Sequence, residues 1–151
     1  MKRTNNIKHK FALNYMFGGK AEFVIENVNT KNRFLYQITM AQNNKELFFI
    51  RAKKITTDTT EITQKNYSGY ILHKYNDYVY HQGKRGQLTN KDKPIVALMY
   101  TVKHLQTNKL PDCVNIKHTG RCALCGRLLT DDKSIERGFG NTCWKIVQKK
   151  V

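Results

Sequence analysis

The sequence predicts an α+β fold: an antiparallel, β-rich body with one packing helix, followed by a cysteine-bearing C-terminal module. Three observations carry this expectation. Apolar residues alternate at period two in short runs from residue 21 to the early fifties. After Pro94 they recur every three or four residues. Three of the four cysteines then crowd into residues 122–143.

Taken in order, the polar and basic "MKRTNNIKHK" reads as a flexible N-terminus over 1–10, with a body over 11–110 and the cysteine module over 111–151. In "AEFVIENV" Phe23 and Ile25 alternate, and in "RFLYQITM" Phe34, Tyr36, Ile38 and Met40 do the same. The turn signal "NTKN" between them makes residues 21–40 a hairpin. A third strand, "KELFFIRAK", follows "QNN". The Thr-rich "TTDTTEITQKN" has no apolar stripe and reads as a loop. Two short aromatic runs around "KYND" form a second hairpin, in which Tyr67, Tyr70, Tyr75, Tyr78 and Tyr80 are read mainly as cross-strand packing. "GKRG" is an exposed basic loop. Ile95, Leu98, Met99, Val102 and Leu105 then mark an amphipathic helix over 94–107, with Asp92 or Asn90 as its cap and Pro94 in its first turn.

Charge narrows the partner. The 151-residue chain carries 27 Lys and Arg against 11 Asp and Glu, a net +16. That excess is far beyond what solubility needs and points to a polyanion, nucleic acid first and an acidic protein surface second. It is spread along the whole chain. No apolar run approaches the roughly 18 residues of a membrane span, and no secretory pattern opens the chain, so the expected setting is the cytoplasm. There, thiols serve as free groups or metal ligands more often than as disulfides.

The cysteines define the chemistry. Cys122 and Cys125 form Cys-x2-Cys followed by Gly126, the arrangement of a zinc knuckle, in which glycine permits the positive φ of the turn. Cys143 falls in the first turn of a terminal helix capped by Asn141 or Thr142. One position of a tetrahedral zinc then needs a fourth ligand. His118, four residues before Cys122, is the preferred candidate, and Cys113 the other. The expectation is one structural Zn2+ held by His118, Cys122, Cys125 and Cys143.

The pattern H-x3-C-x2-CGR-x-LT-x3-SI-x2-G-x-G-x2-C, carried by His118, Cys122, Cys125, Gly126, Arg127, Leu129, Thr130, Ser134, Ile135, Gly138, Gly140 and Cys143, resembles a small zinc-finger domain of uncharacterised function common in bacteriophage and some bacterial proteins. The resemblance implies a treble-clef-like knuckle, hairpin and helix, a phage origin, and His118 as the matching ligand. Asn141 and Thr142 stand where that family usually shows Gly-Pro. "GGKAEFVIENVNTKNRFLYQI" more faintly resembles the β-rich region that often precedes the finger.

These features favour a non-catalytic, nucleic-acid-binding accessory or regulatory protein acting in the host cytoplasm. Arg121, Arg127, Arg137 and Lys145 supply basic groups on the finger. Arg51, Lys53, Lys54, Lys84 and Arg85 supply them on the body. DNA and RNA are both open as ligands. An acidic host protein, bound and inhibited or redirected, is the alternative partner. A zinc-containing nuclease is third, since His73, His81 and Asp77 form only a loose set and Asp131, Asp132 and Glu136 read as turn and cap residues.

Overall fold

The structure, a computed structural model, describes residues 4–56 and 62–149. It is α+β. Seven strands, β1 (Asn5–Asn6), β2 (Lys20–Asn27), β3 (Arg33–Met40), β4 (Leu47–Lys54), β5 (Tyr67–Lys74), β6 (Asp77–His81) and β7 (Val114–His118), form one antiparallel sheet in the order β1-β7-β2-β3-β4-β5-β6. Among the described residues four α-helices join them, α1 (His9–Met16), α2 (Lys93–Gln106), α3 (Asp132–Arg137) and α4 (Asn141–Lys149), with a short 3-10 turn at Gln64–Asn66. None of the described helices is long and apolar enough to cross a membrane.

Period-two alternation places the core on one face of the sheet. Phe23 and Ile25 of β2, Tyr36 and Ile38 of β3, and Phe48 and Ile50 of β4 all point to that face. They meet Ala12 and Met16 of α1 and Leu98, Val102 and Leu105 of α2. The Tyr36 hydroxyl donates to the Pro94 carbonyl at 2.7 Å, tying the start of α2 to the middle of the sheet. α2 starts one residue before the predicted 94–107. Asp92 is its N-cap residue, but its carboxylate accepts from the Thr89 backbone N–H rather than from the helix.

Both predicted hairpins form. In the first, Asn27 Oδ1 accepts from the N–H groups of Asn29 and Thr30, which folds the turn by an Asx motif. In the second, Tyr75 and Asn76 both take positive φ, 52° and 66°, the geometry of a two-residue I′ turn made without glycine.

Two features depart from the predicted boundaries. Within the stretch read as a flexible N-terminus, Asn5 and Asn6 pair with β7 and His9 opens α1, whose Ala12, Tyr15 and Met16 are fully buried. The stretch 111–151 is likewise not set apart from the body, because β7 inserts between β1 and β2 and so joins the main sheet. The physical reason is edge satisfaction: β2 would otherwise leave a row of backbone groups unpaired.

The opposite face of the sheet divides in two. Over β2 and β3, Ile55 and Ile62 cover Val24 and Leu35 in a small second core. Ile62 of the Thr-rich segment thus packs on the sheet beside Ile55, which precedes that segment, and residues 57–61 lie outside the described residues. Over β4, β5 and β6, side chains of Phe49, Tyr70, Leu72 and His81 share that outer face by their register.

Candidate metal centre

The knuckle forms where two backbone hydrogen bonds close it: Cys122 N–H donates to the Arg127 carbonyl at 2.8 Å, and Gly126 N–H to the Cys122 carbonyl at 2.9 Å. Arg121 and Leu128 bridge just outside it. Gly126 takes φ 80°, which an L side chain adopts only with strain, so its place after the second cysteine is required by the turn. Beyond the knuckle, Asp131 caps α3 by accepting from Ser134 N–H, and Gly138 ends that helix in the left-handed region. α4 then begins at Asn141 itself, with the Trp144 N–H donating to the Gly140 carbonyl. Asn141 and Thr142 are thus inside the helix rather than its cap, while Cys143 does sit in the first turn.

This arrangement brings Cys122, Cys125 and Cys143 together, with their sulfurs all within 4.8 Å of one another. Around a tetrahedral zinc with sulfur at about 2.3 Å, thiolates stand about 3.8 Å apart, so three sulfurs this close can hold one metal ion. Two of the thiols are shifted, in opposite directions. Burial pushes the Cys122 thiol up, but the N–H groups of Cys125, Gly140 and Leu124 outweigh it and hold the thiol below its ordinary range. Cys143 is pushed up to about 12, first by burial and then by the adjoining Cys122 and Cys125 sulfurs. Three neighbouring thiolates without a cation repel one another, and a divalent ion reverses that penalty.

His118 is not part of this group, a correction to the sequence expectation. It is fully buried at the end of β7, and both ring nitrogens are engaged by backbone. Nδ1 accepts from the Gly120 N–H at 3.0 Å, so the proton sits on Nε2, which donates to the Ile135 carbonyl of α3. Burial lowers the pKa of the imidazole, with the Ile135 bond opposing, and favours the neutral ring. His118 therefore clips α3 to the sheet, and its ring lies 5.3 Å from that of Tyr15. Cys113 also lies outside the group. It precedes β7 at the opposite end of the strand from His118, where its sulfur accepts from Asn27 Nδ2. In this structure neither candidate joins the three sulfurs, because β-strand geometry aims one inward and carries the other away.

We expect His118→Ala to leave metal stoichiometry unchanged and to lower stability by about 2–4 kcal/mol, from a lost buried ring and an unpaired Ile135 carbonyl. Elemental analysis alongside denaturant unfolding separates the two effects; a variant that loses its metal yet keeps its fold would restore His118 as a ligand.

The module is seated on the body by packing. The Lys20 N–H donates to the Ala123 carbonyl at 2.6 Å, Trp144 meets Phe11 edge-on at 5.5 Å, and Phe139 meets Tyr15 at 6.2 Å. Tyr15 is buried beneath the junction. Its hydroxyl donates to the Glu22 carbonyl at 2.9 Å, and burial pushes its pKa far up.

The nine basic positions singled out in the sequence fall into two separate places. On the finger, Arg127 and Lys145 are exposed, whereas Arg121 donates to the Gly126 carbonyl and Arg137 to Asn141 Oδ1 while lying over the Trp144 ring, so these two also brace local structure. On the body, Lys54 is exposed at the end of β4 and Lys53 is half-buried. Arg51 donates to Gln37 Oε1 at 2.6 Å. Lys84 and Arg85 lie exposed in the loop after β6 and line a groove of about 810 Å³ with Phe49, Tyr67 and Tyr70. Stacking on unpaired bases is the lesser sequence reading of these tyrosines, and spacing along the chain does not place them beside Lys84 and Arg85. The alternation in β4, with Phe48 and Ile50 on one face and Phe49 on the other, is the part of the signal the sequence carries.

The loose set named for a nuclease does not assemble. His73 stacks on Tyr78 at 3.9 Å and shares a hydrogen bond with the Asp77 carbonyl, while His81 stacks on Tyr70 on the outer face. Near the cysteines, Asp131 is engaged as a cap, and Glu136 pairs with Lys8 at 2.6 Å.

No curated protein and no solved structure matches the chain. Residues 116–148, from the middle of β7 into α4, match the model of a family of unknown function, DUF6011, and so the similarity covers the three clustered cysteines and leaves Cys113 outside it.

Proposed function

We propose that this protein is a non-catalytic, nucleic-acid-binding accessory factor whose C-terminal module is held by one structural zinc ion. The observation that carries the binding half is the state of its charge. Of a net +16, the ion pairs among the described residues occupy only Lys8, Arg33 and Lys117, while Lys84, Arg85, Arg127 and Lys145 stand exposed with no carboxylate partner among the described residues. Exposed, unpaired cations of this number match a phosphate backbone, which gains affinity by counterion release. The three sulfurs carry the metal half. Cys122, Cys125 and Cys143 would hold the ion, whose contribution is to bind the knuckle to α4, and the thiolate set favours zinc over harder, oxygen-seeking cations.

Binding to labelled duplex and single-stranded oligonucleotides across a salt series tests this reading. The log-log slope should be about −0.9 per phosphate contacted on duplex DNA and about −0.7 on single strands. K84A with R85A should lower it by about one or two contacts without moving the thermal midpoint, because both side chains are exposed. A protein that binds no nucleic acid even at low salt, yet retains one host protein after nuclease treatment, is an interaction protein instead.

A further inference from the structure

The sheet has an outer face on which Phe49 is exposed and Tyr67 and Tyr70 are half-buried. Phe49 of β4 is 39% exposed, while its neighbour Phe48, pointing the other way, is 2% exposed. A phenylalanine directed outward in a strand that already fills the core with Phe48 and Ile50 adds nothing to that core. Beside it stands Tyr67, ring centroids 6.3 Å apart, and across β5 and β6 the Tyr70 ring stacks on exposed His81 at 5.1 Å and 22°. The loop following β6 curls back so that Gly83 lies against the Tyr70 ring and Lys84 and Arg85 flank the groove. Hydrogen bonds tie the base of this groove together. Tyr80, on the core side, reaches the carbonyls of both Ser68 and Leu88, and Gln87 N–H donates to the Tyr67 carbonyl, which holds the loop along β5.

We infer that this open half of the sheet's outer face, with Phe49, Tyr67 and Tyr70 as stacking surfaces and Lys84 and Arg85 as phosphate contacts, is a binding platform for single-stranded nucleic acid. The inference rests on the nucleic-acid reading above and gives it a place and a ligand form. Three physical points select the occupant. Unpaired bases expose π-faces that stack on aromatic rings, whereas duplex bases are already stacked and offer a sheet only their edges. Lys84 and Arg85 are exposed and line the same groove as the rings, so a strand stacked there has cations within its reach. Among the described residues, none of the ten that line the groove is acidic, so none of them repels phosphate, while an acidic protein surface would leave the apolar rings without a matching partner. The metal module packs on α1, over the other face of the sheet, so the platform and the zinc site are distinct.

The test uses the full-length, metal-loaded chain and fluorescence anisotropy with a labelled oligothymidine, an oligouridine and a duplex of equal length. Single strands should bind more tightly than the duplex. F49A and Y70A should each weaken single-strand binding by about 5- to 100-fold while leaving the salt slope unchanged. K84A with R85A should lower the slope itself. Since truncation on a sheet can disturb folding, F49L and Y70L, which keep apolar bulk without an aromatic ring, are measured beside them with thermal midpoints. Loss of binding in the leucine variants at an unchanged midpoint supports the platform. Aromatic variants that bind single strands like the parent, or a duplex bound as tightly as single strands, overturn it while the general nucleic-acid reading stands. Absence of binding to all three probes at low salt overturns both.

Discussion

Stripping the metal with a strong chelator at neutral pH is expected to unfold the C-terminal module and to destabilise the chain as a whole. Structural zinc in small sites contributes on the order of 10 kcal/mol at neutral pH, comparable to the roughly 5–15 kcal/mol by which whole domains are stable. In this fold the loss cannot stay local. The knuckle carbonyl of Ala123 accepts from Lys20 at the start of β2, and Leu129 and Phe139 lie in the same core as α1 and the sheet. Trp144, the chain's single tryptophan, follows Cys143 directly and packs against Phe11 and Phe139, so its emission reports the event. Chelation should shift that emission to the red, expose the thiols to reagent and lower the melting temperature, and one equivalent of zinc should reverse all three. C143S should behave like the stripped protein. An unchanged spectrum and melt, with every thiol reactive and no metal found by elemental analysis of the untreated protein, would refute the site.

The second large effect is expected from Gly138→Ala. Gly138 closes α3 with φ 80°, and a Cβ there would overlap the ring of buried Tyr15. The left-handed conformation costs an L residue about 1–2 kcal/mol, and forcing volume against a packed ring adds about 1–3 kcal/mol. Tyr15 has little room to give way, because its hydroxyl is bound at Glu22 and its ring is enclosed by Phe23, His118 and Phe139. Denaturant unfolding should show a loss of about 2–5 kcal/mol with metal content retained, whereas Gly140→Ala, where a Cβ meets nothing within 4 Å, should show little. Equal losses in the two variants would remove Tyr15 as the cause.

Seen together, the two effects sort the residues of the C-terminal motif by what they do. Cys122, Cys125 and Cys143 supply sulfur. Gly126 makes the knuckle turn. His118, Ile135 and Gly138 fit α3 to the body through the His118–Ile135 hydrogen bond and the close approach to Tyr15. A histidine close before a Cys-x2-Cys has the composition of a ligand, yet here its register in β7 points it into the core beside Tyr15.

Much of this molecule was legible in the residues alone, wherever the deciding physics is local. Period-two alternation located β2 to β6, three-to-four spacing located α2, and the Cys-x2-Cys-Gly knuckle with Cys143 in a helical first turn located the three sulfurs, because alternation, helical spacing and turn sterics act over a few neighbours. Tertiary structure alone decided the rest. β1 is two residues long and exists only by pairing with β7, more than a hundred positions away. α1 has eight residues and no side-chain cap, so burial of its Ala12, Tyr15 and Met16 against the sheet is what supports it. The use of His118 as a clip, and the gathering of Phe49, Tyr67, Tyr70, Lys84 and Arg85 about one groove, depend on strand register and on a bulge in β4–β5, which bring together side chains that spacing along the chain does not relate.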